Sequence, residues 1–143
     1  MTKVSEKLNQ FLANSLVLFA KLHNYHWNVK GVEFYVIHKK TEELYKFIES
    51  LYDDFAERIL QIGGTPIVTL KQALEMATIV EEKKTSFDAK YVVKNIVKDF
   101  EFLVKELKIL ADLAKEDIVT NLYVDEKAAF LEKEIWTLKS FAA

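Results

Sequence analysis

One long stretch decides the fold: 34-FYVIHKKTEELYKFIESLYDDFAERILQIGGTP-66 carries a helical pattern and then stops. Its apolar residues recur every three or four positions, as they do on one face of an α-helix. These residues are Leu44, Ile48, Leu51, Phe55, Ile59 and Ile62. Two consecutive glycines and Pro66 follow, and they are typical of a helix C-terminus because glycine adopts the cap conformation and proline cannot continue the helix. We predict a helix over residues 34–62 with one face in a hydrophobic core.

The rest of the chain repeats this helical spacing and contains few helix-breaking residues. Its 143 residues include 3 glycines, 1 proline and no cysteine. The spacing predicts further long helices over about 7–29, from 86 or 88 to about 110, and over about 117–138. A short connecting helix is predicted within 69–77, with Thr69 as its N-cap. The sequence therefore predicts a single all-α domain, residues 1–143, in which a four-helix bundle has a short extra helix between its second and third long helices.

Composition narrows the classes of function. The chain has 20 basic and 22 acidic residues, a formal net charge of −2, and neither terminus carries a basic tail. We therefore expect no binding to DNA driven by the overall charge. No apolar run approaches the roughly 20 residues that cross a membrane, and the N-terminal MTKVSEKLNQ does not resemble a secretory signal. We expect no membrane association and a cytoplasmic location.

Imidazole and carboxylate side chains are grouped in one part of the sequence. All three histidines, His23, His26 and His38, fall within sixteen residues, and Asp53 and Glu57 follow. This mixture suits a first-row metal such as iron, manganese or zinc, whereas a thiolate site is excluded because cysteine is absent. On a helical wheel, a second face of the 34–62 helix lies a third to half of a turn from the apolar stripe. That face carries His38, Glu42, Asp53 and Glu57.

The spacing along this face separates the candidate ligands. His38 and Asp53 are fifteen residues apart, which is about 22 Å along an α-helix, so they cannot bind one metal ion within one chain. The Glu-x-x-His motif that di-iron bundles place on two helices does not occur in the sequence. A two-fold axis near residues 47 and 48 would solve the problem. The pair His38 and Glu42 would then face the two acids of a second copy, which makes two equivalent sites per dimer.

His26 joins this set because the first helix ends, and the second begins, on either side of a short connection. Each predicted site then has two nitrogens and one carboxylate from one chain and two carboxylates from its partner. Simpler alternatives exist for each residue taken alone. A histidine on an apolar face is often a hydrogen-bonded core residue. Asp53 and Glu57 could equally be solvated charges, the second beside Arg58.

Several motifs together resemble those of the Dps family of mini-ferritins. They are 21-KLHNYHWNVKG-31, a histidine twelve positions after His26, 53-DDFAERIL-60, 63-GGTP-66, 117-DIVT-120 and the Ile-Trp pair at 135–136. The resemblance covers nearly the whole chain. It implies a ferritin-like bundle assembled into a hollow dodecamer that oxidises Fe(II), preferentially with hydrogen peroxide, and stores the Fe(III) mineral inside.

The resemblance also implies which residues bind iron. The family ligands correspond to His26, His38, Asp53 and Glu57, and Glu42 stands where most relatives have aspartate. His23 lies in the motif but is not a usual ligand.

Two other positions depart from the family pattern. Lys39 stands where many relatives carry an acid that promotes mineral nucleation. Leu122 stands where the pore that admits iron has a second aspartate, after the one that corresponds to Asp117. Asp125 or Glu126 would then contribute to the route of iron.

The candidate ligands, together with what the resemblance implies, predict a cytoplasmic ferroxidase that consumes Fe(II) and hydrogen peroxide together and confines the product in a cage. Two other functions stay open at this point. The chain could be a DNA-compacting cage protein in which iron oxidation is secondary. Zinc could also occupy the sites and block oxidation.

Overall fold

The computed structural model describes residues 2–143, which form five helices. They are α1 (Lys3–Asn28), α2 (Phe34–Gln61), α3 (Leu70–Met76), α4 (Ala89–Leu113) and α5 (Ile118–Ala142). The predicted all-α four-helix bundle with a short extra helix is confirmed. Thr69 caps α3 as predicted, in a reciprocal capping box with Gln72. Helix α1 begins four residues earlier than predicted, because the Thr2 hydroxyl accepts a hydrogen bond from the backbone N–H of Ser5.

Two very short strands fix the direction of the helices. Strand β1 (Val29–Lys30) directly follows α1, and strand β2 (Phe87–Asp88) directly precedes α4. They pair in parallel, with Val29 opposite Phe87. Helix α4 therefore begins at the end of the bundle where α1 finishes, and the segment 62–88, which contains α3, crosses the length of the bundle. The sequence analysis did not predict this strand pair.

The end of α2 is shaped by its two glycines. Gly63 has φ +84°, and its N–H donates to the carbonyl oxygen of Leu60. The N–H of Gly64 donates to the carbonyl oxygen of Ile59 at 2.8 Å, which completes a Schellman motif. A Cβ at Gly64 would lie 2.9 Å from Ile59 Cγ2 and 3.0 Å from Ser5 Cβ. The second glycine thus allows the chain to leave α2 close against the start of α1.

The apolar stripe of α2 forms part of the core, as predicted. Leu44, Leu51 and Phe55 are fully buried. The ring of Phe55 meets that of Phe11 edge to face, with 5.6 Å between centroids. Ile62, the last residue assigned to the stripe, is only partly buried at the end of the helix. Since this face of α2 is fully used by the core, the opposite face is left to the candidate site.

Asparagines of α1 hold the crossover segment against the bundle. Asn9 Nδ2 donates to the carbonyl oxygen of Thr65, and Asn14 Oδ1 accepts from the backbone N–H of Thr78. Asn24 Nδ2 donates to the carbonyl oxygens of residues 82 and 84. These bonds satisfy backbone groups of the segment that lie outside α3 and have no helical partner. Across residues 2–143, no helix is both long and apolar enough to span a membrane.

Candidate metal centre

The short connection between α1 and α2 brings two of the predicted ligands together. His26 lies on the last turn of α1 and His38 on the second turn of α2. Their imidazole rings are stacked, with centroids 3.6 Å apart and an interplanar angle of 16°. His26 is buried and His38 is partly buried. The two histidines that are twelve residues apart in sequence therefore form one compact pair.

Each ring of this pair is held by the backbone of the other histidine. His26 Nδ1 lies 2.6 Å from the carbonyl oxygen of His38, and His38 Nδ1 lies 2.8 Å from the carbonyl oxygen of His26. A carbonyl oxygen can only accept, so both Nδ1 atoms carry the proton and donate. In the neutral rings, both Nε2 atoms then have a free lone pair, which is the state that a metal ion requires.

Burial keeps His26 in this neutral state. Desolvation is the main cause that lowers the pKa of its imidazole below the usual value. Its Nδ1 also lies 3.1 Å from the hydroxyl oxygen of Thr41, and that hydroxyl donates to the carbonyl oxygen of Ile37. At neutral pH the ring is uncharged and its orientation is fixed on two sides.

Aromatic side chains surround the histidine pair. The Tyr45 ring meets the His26 ring edge to face at 5.3 Å, and the Phe34 ring stacks on His38 at 5.0 Å. His23 stacks on Tyr45 at 3.8 Å, while its Nδ1 donates to the carbonyl oxygen of Phe19. His23 is thus part of the aromatic surroundings, one layer behind the ring of His26.

Glu42 lies one turn beyond His38 on α2 and is partly exposed. Its Oε2 is 3.0 Å from the ammonium nitrogen of Lys46. This contact is the first cause of a lowered pKa of the Glu42 carboxyl, and the two histidines act in the same direction from farther away. Glu42 is therefore a carboxylate at neutral pH, with a lysine as its partner.

Asp53 and Glu57 are exposed on the outward face of α2. Arg58, their neighbour in sequence, turns toward α5 and donates to both carboxylate oxygens of Asp117, at 3.0 and 3.2 Å. Within the part of one chain that the structure describes, residues 2–143, no three His, Asp or Glu side chains are grouped closely enough to hold a metal ion. The structure thus brings His26 and His38 together and leaves the two acids along the same helix.

The acid expected at the iron pore has a structural role within the chain. Asp117 caps α5, and its Oδ1 accepts from the backbone N–H of Thr120 at 3.0 Å. Bonds from Thr120 and then Arg58 lower the pKa of the Asp117 carboxyl. Leu122 is exposed on the next turn, as are Asp125 and Glu126.

Three neighbours of the candidate ligands were missed by the sequence analysis. They are Thr41, Tyr45 and Lys46. Two of them had a signal that could have been used: Lys46 follows Glu42 at the i, i+4 spacing of a helical ion pair, and Thr41 follows His38 by three residues. The carbonyl partners of the histidines have no signal in the sequence.

Comparison with known proteins identifies the family. Residues 5–143 match the model of the ferritin-like domain. The chain is 45% identical to a protein of Helicobacter pylori named "DNA protection during starvation protein", over 99% of both chains.

Solved structures agree with this match. A crystal structure of Helicobacter cinaedi CAIP superposes with a TM-score of 0.96 at 43% identity, over 99% of this chain and 100% of that one. A Dps protein of Vibrio cholerae, described as a member of the ferritin-like diiron-carboxylate superfamily, gives a TM-score of 0.94 at 31% identity, over 99% and 89%. The chain therefore belongs to the ferritin-like family and, within it, to the Dps mini-ferritins.

Proposed function

We propose that the chain is a cytoplasmic ferroxidase that oxidises Fe(II) and stores the product in a cage. The observation that carries the proposal is the histidine pair. Two imidazoles, each with its Nδ1–H bound to a backbone carbonyl, leave their Nε2 nitrogens available to a metal ion. In one site, His26, His38 and Glu42 come from one chain, and Asp53 and Glu57 come from a second copy.

The ligand set fits Fe(II) as a substrate. Imidazole and carboxylate together suit iron, and three carboxylates offset the charge that grows when Fe(II) becomes Fe(III). With hydrogen peroxide the reaction balances as two Fe(II), one H₂O₂ and two protons giving two Fe(III) and two H₂O. One peroxide is thus consumed by two one-electron oxidations without release of hydroxyl radical.

The same proposal includes assembly into a dodecamer of two-fold dimers. Twelve chains of 16.6 kDa have a mass of about 200 kDa, which light scattering would measure. Large apolar side chains that stay exposed in the single chain support assembly with further copies. Those more than three-fifths exposed are Trp27, Val32, Tyr35, Leu60, Val68, Leu70, Val80, Ile118, Leu122 and Trp136.

Complementation between two defective variants tests the shared site. One variant lacks both histidines, H26A/H38A, and the other lacks both acids, D53A/E57A. Each pure assembly should oxidise Fe(II) poorly because every site has lost two of its five ligands. In a mixed dimer one site receives two intact halves, so activity should return to about half of the wild-type level.

Verified mixed assemblies with no more activity than the sum of the two pure variants would contradict the shared site. Stopped-flow oxidation of Fe(II) with peroxide, and separately with oxygen, gives the rates for this comparison. The same measurement on the wild-type protein identifies the preferred oxidant.

DNA compaction is the second candidate function, and a specific surface favours it. Lys90, Lys94 and Lys98 are exposed along one face of α4. The name of the Helicobacter pylori relative also refers to DNA. The net charge of −2 over these 143 residues argues against strong binding. Retardation of plasmid DNA at physiological salt that weakens steeply as salt increases would favour this function over simple storage.

Zinc in place of iron is the remaining alternative, since imidazole and carboxylate ligands also suit Zn(II). Elemental analysis of the purified assembly decides it. A full complement of zinc that blocks oxidation of added Fe(II) would make the cage a zinc-bound protein rather than a ferroxidase.

A further inference from the structure

Lys46 is a cation placed beside a proposed iron ligand. It lies on α2, one turn after Glu42, and its ammonium nitrogen is 3.0 Å from Glu42 Oε2. The side chains of Lys46 and Glu42 are 66% and 45% exposed in the single chain. Because solvent screens the charges of such an exposed ion pair, the pair is weak in the single chain. The ammonium nevertheless lies on one oxygen of a carboxylate that the proposed site needs as a metal ligand.

In the proposed two-fold register, this lysine would lie next to a second ligand. Glu42 and Asp53 are equally distant from the midpoint between residues 47 and 48. Lys46 and Glu49 are also equally distant from this midpoint, so Lys46 would lie at the height of the partner's Glu49. When α2 packs antiparallel on α2 of a second copy, Glu42 therefore lies at the height of the partner's Asp53. The ammonium at Glu42 would then flank two ligand carboxylates, on the side nearer to the two-fold axis.

An ammonium and a divalent cation compete for such carboxylates. The metal ion has to displace the lysine from Glu42 and then experiences its repulsion at a short distance. This repulsion is small in water and grows severalfold in a protein interface, where the effective dielectric constant is lower. Metal binding at this site is therefore weaker than the ligands alone would give.

We propose that Lys46 is an internal cation that occupies the carboxylate side of the iron site in the metal-free protein. It raises the concentration of Fe(II) at which the site fills. The inference rests on the proposed function, because it requires Glu42 to be a ligand. It assigns to Lys46 a role in setting metal affinity, without contact with the reacting iron.

The test is binding of Co(II), a redox-stable probe, to the assembled protein by isothermal titration calorimetry. Lys46→Met should bind Co(II) about threefold to tenfold more tightly than the wild type. Lys108→Met is the matched control, since it removes the same charge from an exposed position on α4 and should change affinity by less than about twofold. Lys46→Arg, which keeps the cation, should bind like the wild type.

A second background isolates the contact itself. In Glu42→Gln protein, Lys46→Met should no longer raise the affinity, because the pair has already been broken. If Lys46→Met binds Co(II) no more tightly than Lys108→Met, or raises affinity equally in the Glu42→Gln background, the inference is wrong. The double variant H26A/H38A separates this failure from that of the proposed function: Co(II) binding as tight as in the wild type would show that the metal site lies elsewhere, and both proposals would fall.

Discussion

The two ends of the outward face of α2 differ in how the chain holds their side chains. At the N-terminal end, His26 and His38 bind each other's backbone and are shielded by aromatic rings. Toward the C-terminal end, Asp53 and Glu57 extend from the helix into solvent. One chain thus preorganises the two predicted imidazole ligands and leaves two predicted acidic ligands exposed. In the proposed dimer, a second copy would supply the acids that complete each site.

This difference has a physical reason. Neutral imidazoles can be partly buried at little cost when their N–H groups are hydrogen-bonded, whereas two neighbouring carboxylates without a counter-ion cannot. In the proposed assembly, a helix face that exposes its acids in the single chain would avoid that cost until a metal ion is bound. The comparison between the two ends can be tested through stability, acid dependence and metal affinity.

The largest effect is expected from two neighbours on the same turn of α2. Phe55 is fully buried against Phe11, so Phe55→Ala should reduce the free energy of unfolding of the metal-free protein by about 3–5 kcal/mol. Glu57→Ala should change it by no more than about 0.5 kcal/mol, yet should abolish most Fe(II) oxidation. Denaturant unfolding at equal protein concentration measures both changes in the free energy of unfolding, and the rate of Fe(II) oxidation is measured separately. If Glu57→Ala lowers the free energy of unfolding by several kcal/mol, the Glu57 side chain makes stabilising contacts and this end of the helix face is not simply exposed to solvent.

A smaller effect is expected where Arg58 leaves the outward face and binds Asp117. The pKa of Asp117 is lowered in the folded state, so its contribution to stability is complete above the ordinary aspartate pKa of about 3.9 and is lost as the pH falls through the lowered folded value. Asp117→Ala should reduce stability by about 1–2 kcal/mol at neutral pH, because α5 loses its cap.

Asp117→Asn provides the matched control for this prediction. Asparagine also caps helices well, so this variant should retain most of the stability that alanine loses while lacking the acid-dependent part. Between about pH 3 and pH 6, the free energy of unfolding should therefore depend more steeply on pH in the wild type than in either variant. Equal slopes in all three proteins would contradict the assigned ion pair.

The sequence predicted the fold, and it predicted that His26 and His38 lie close together. A single helix carried two periodic faces and a glycine stop, and those features depend only on local spacing. The cross-bonding of His26 and His38 could not be predicted, because backbone carbonyls accept hydrogen bonds without regard to residue type. The β1–β2 pair was also missed, since two-residue strands have no periodicity. The five predicted ligands remain a prediction, because a set shared between two chains depends on an interface.

The smallest effect is expected at Thr41, which contacts the preorganised end of the site. Its hydroxyl is the second acceptor for His26 Nδ1, at 3.1 Å, beside the closer carbonyl of His38 at 2.6 Å. Thr41→Val keeps the side-chain shape but removes that oxygen, and since a net hydrogen bond contributes about 1 kcal/mol and this one is shared, Co(II) affinity should fall only about twofold to threefold. Thr41→Ser should bind Co(II) like the wild type. Long-range ¹H–¹⁵N NMR should find His26 protonated at Nδ1 in both variants, because the carbonyl still accepts. If Thr41→Val instead moves the proton to Nε2 and metal binding is lost, the hydroxyl rather than the paired carbonyls organises this end of α2.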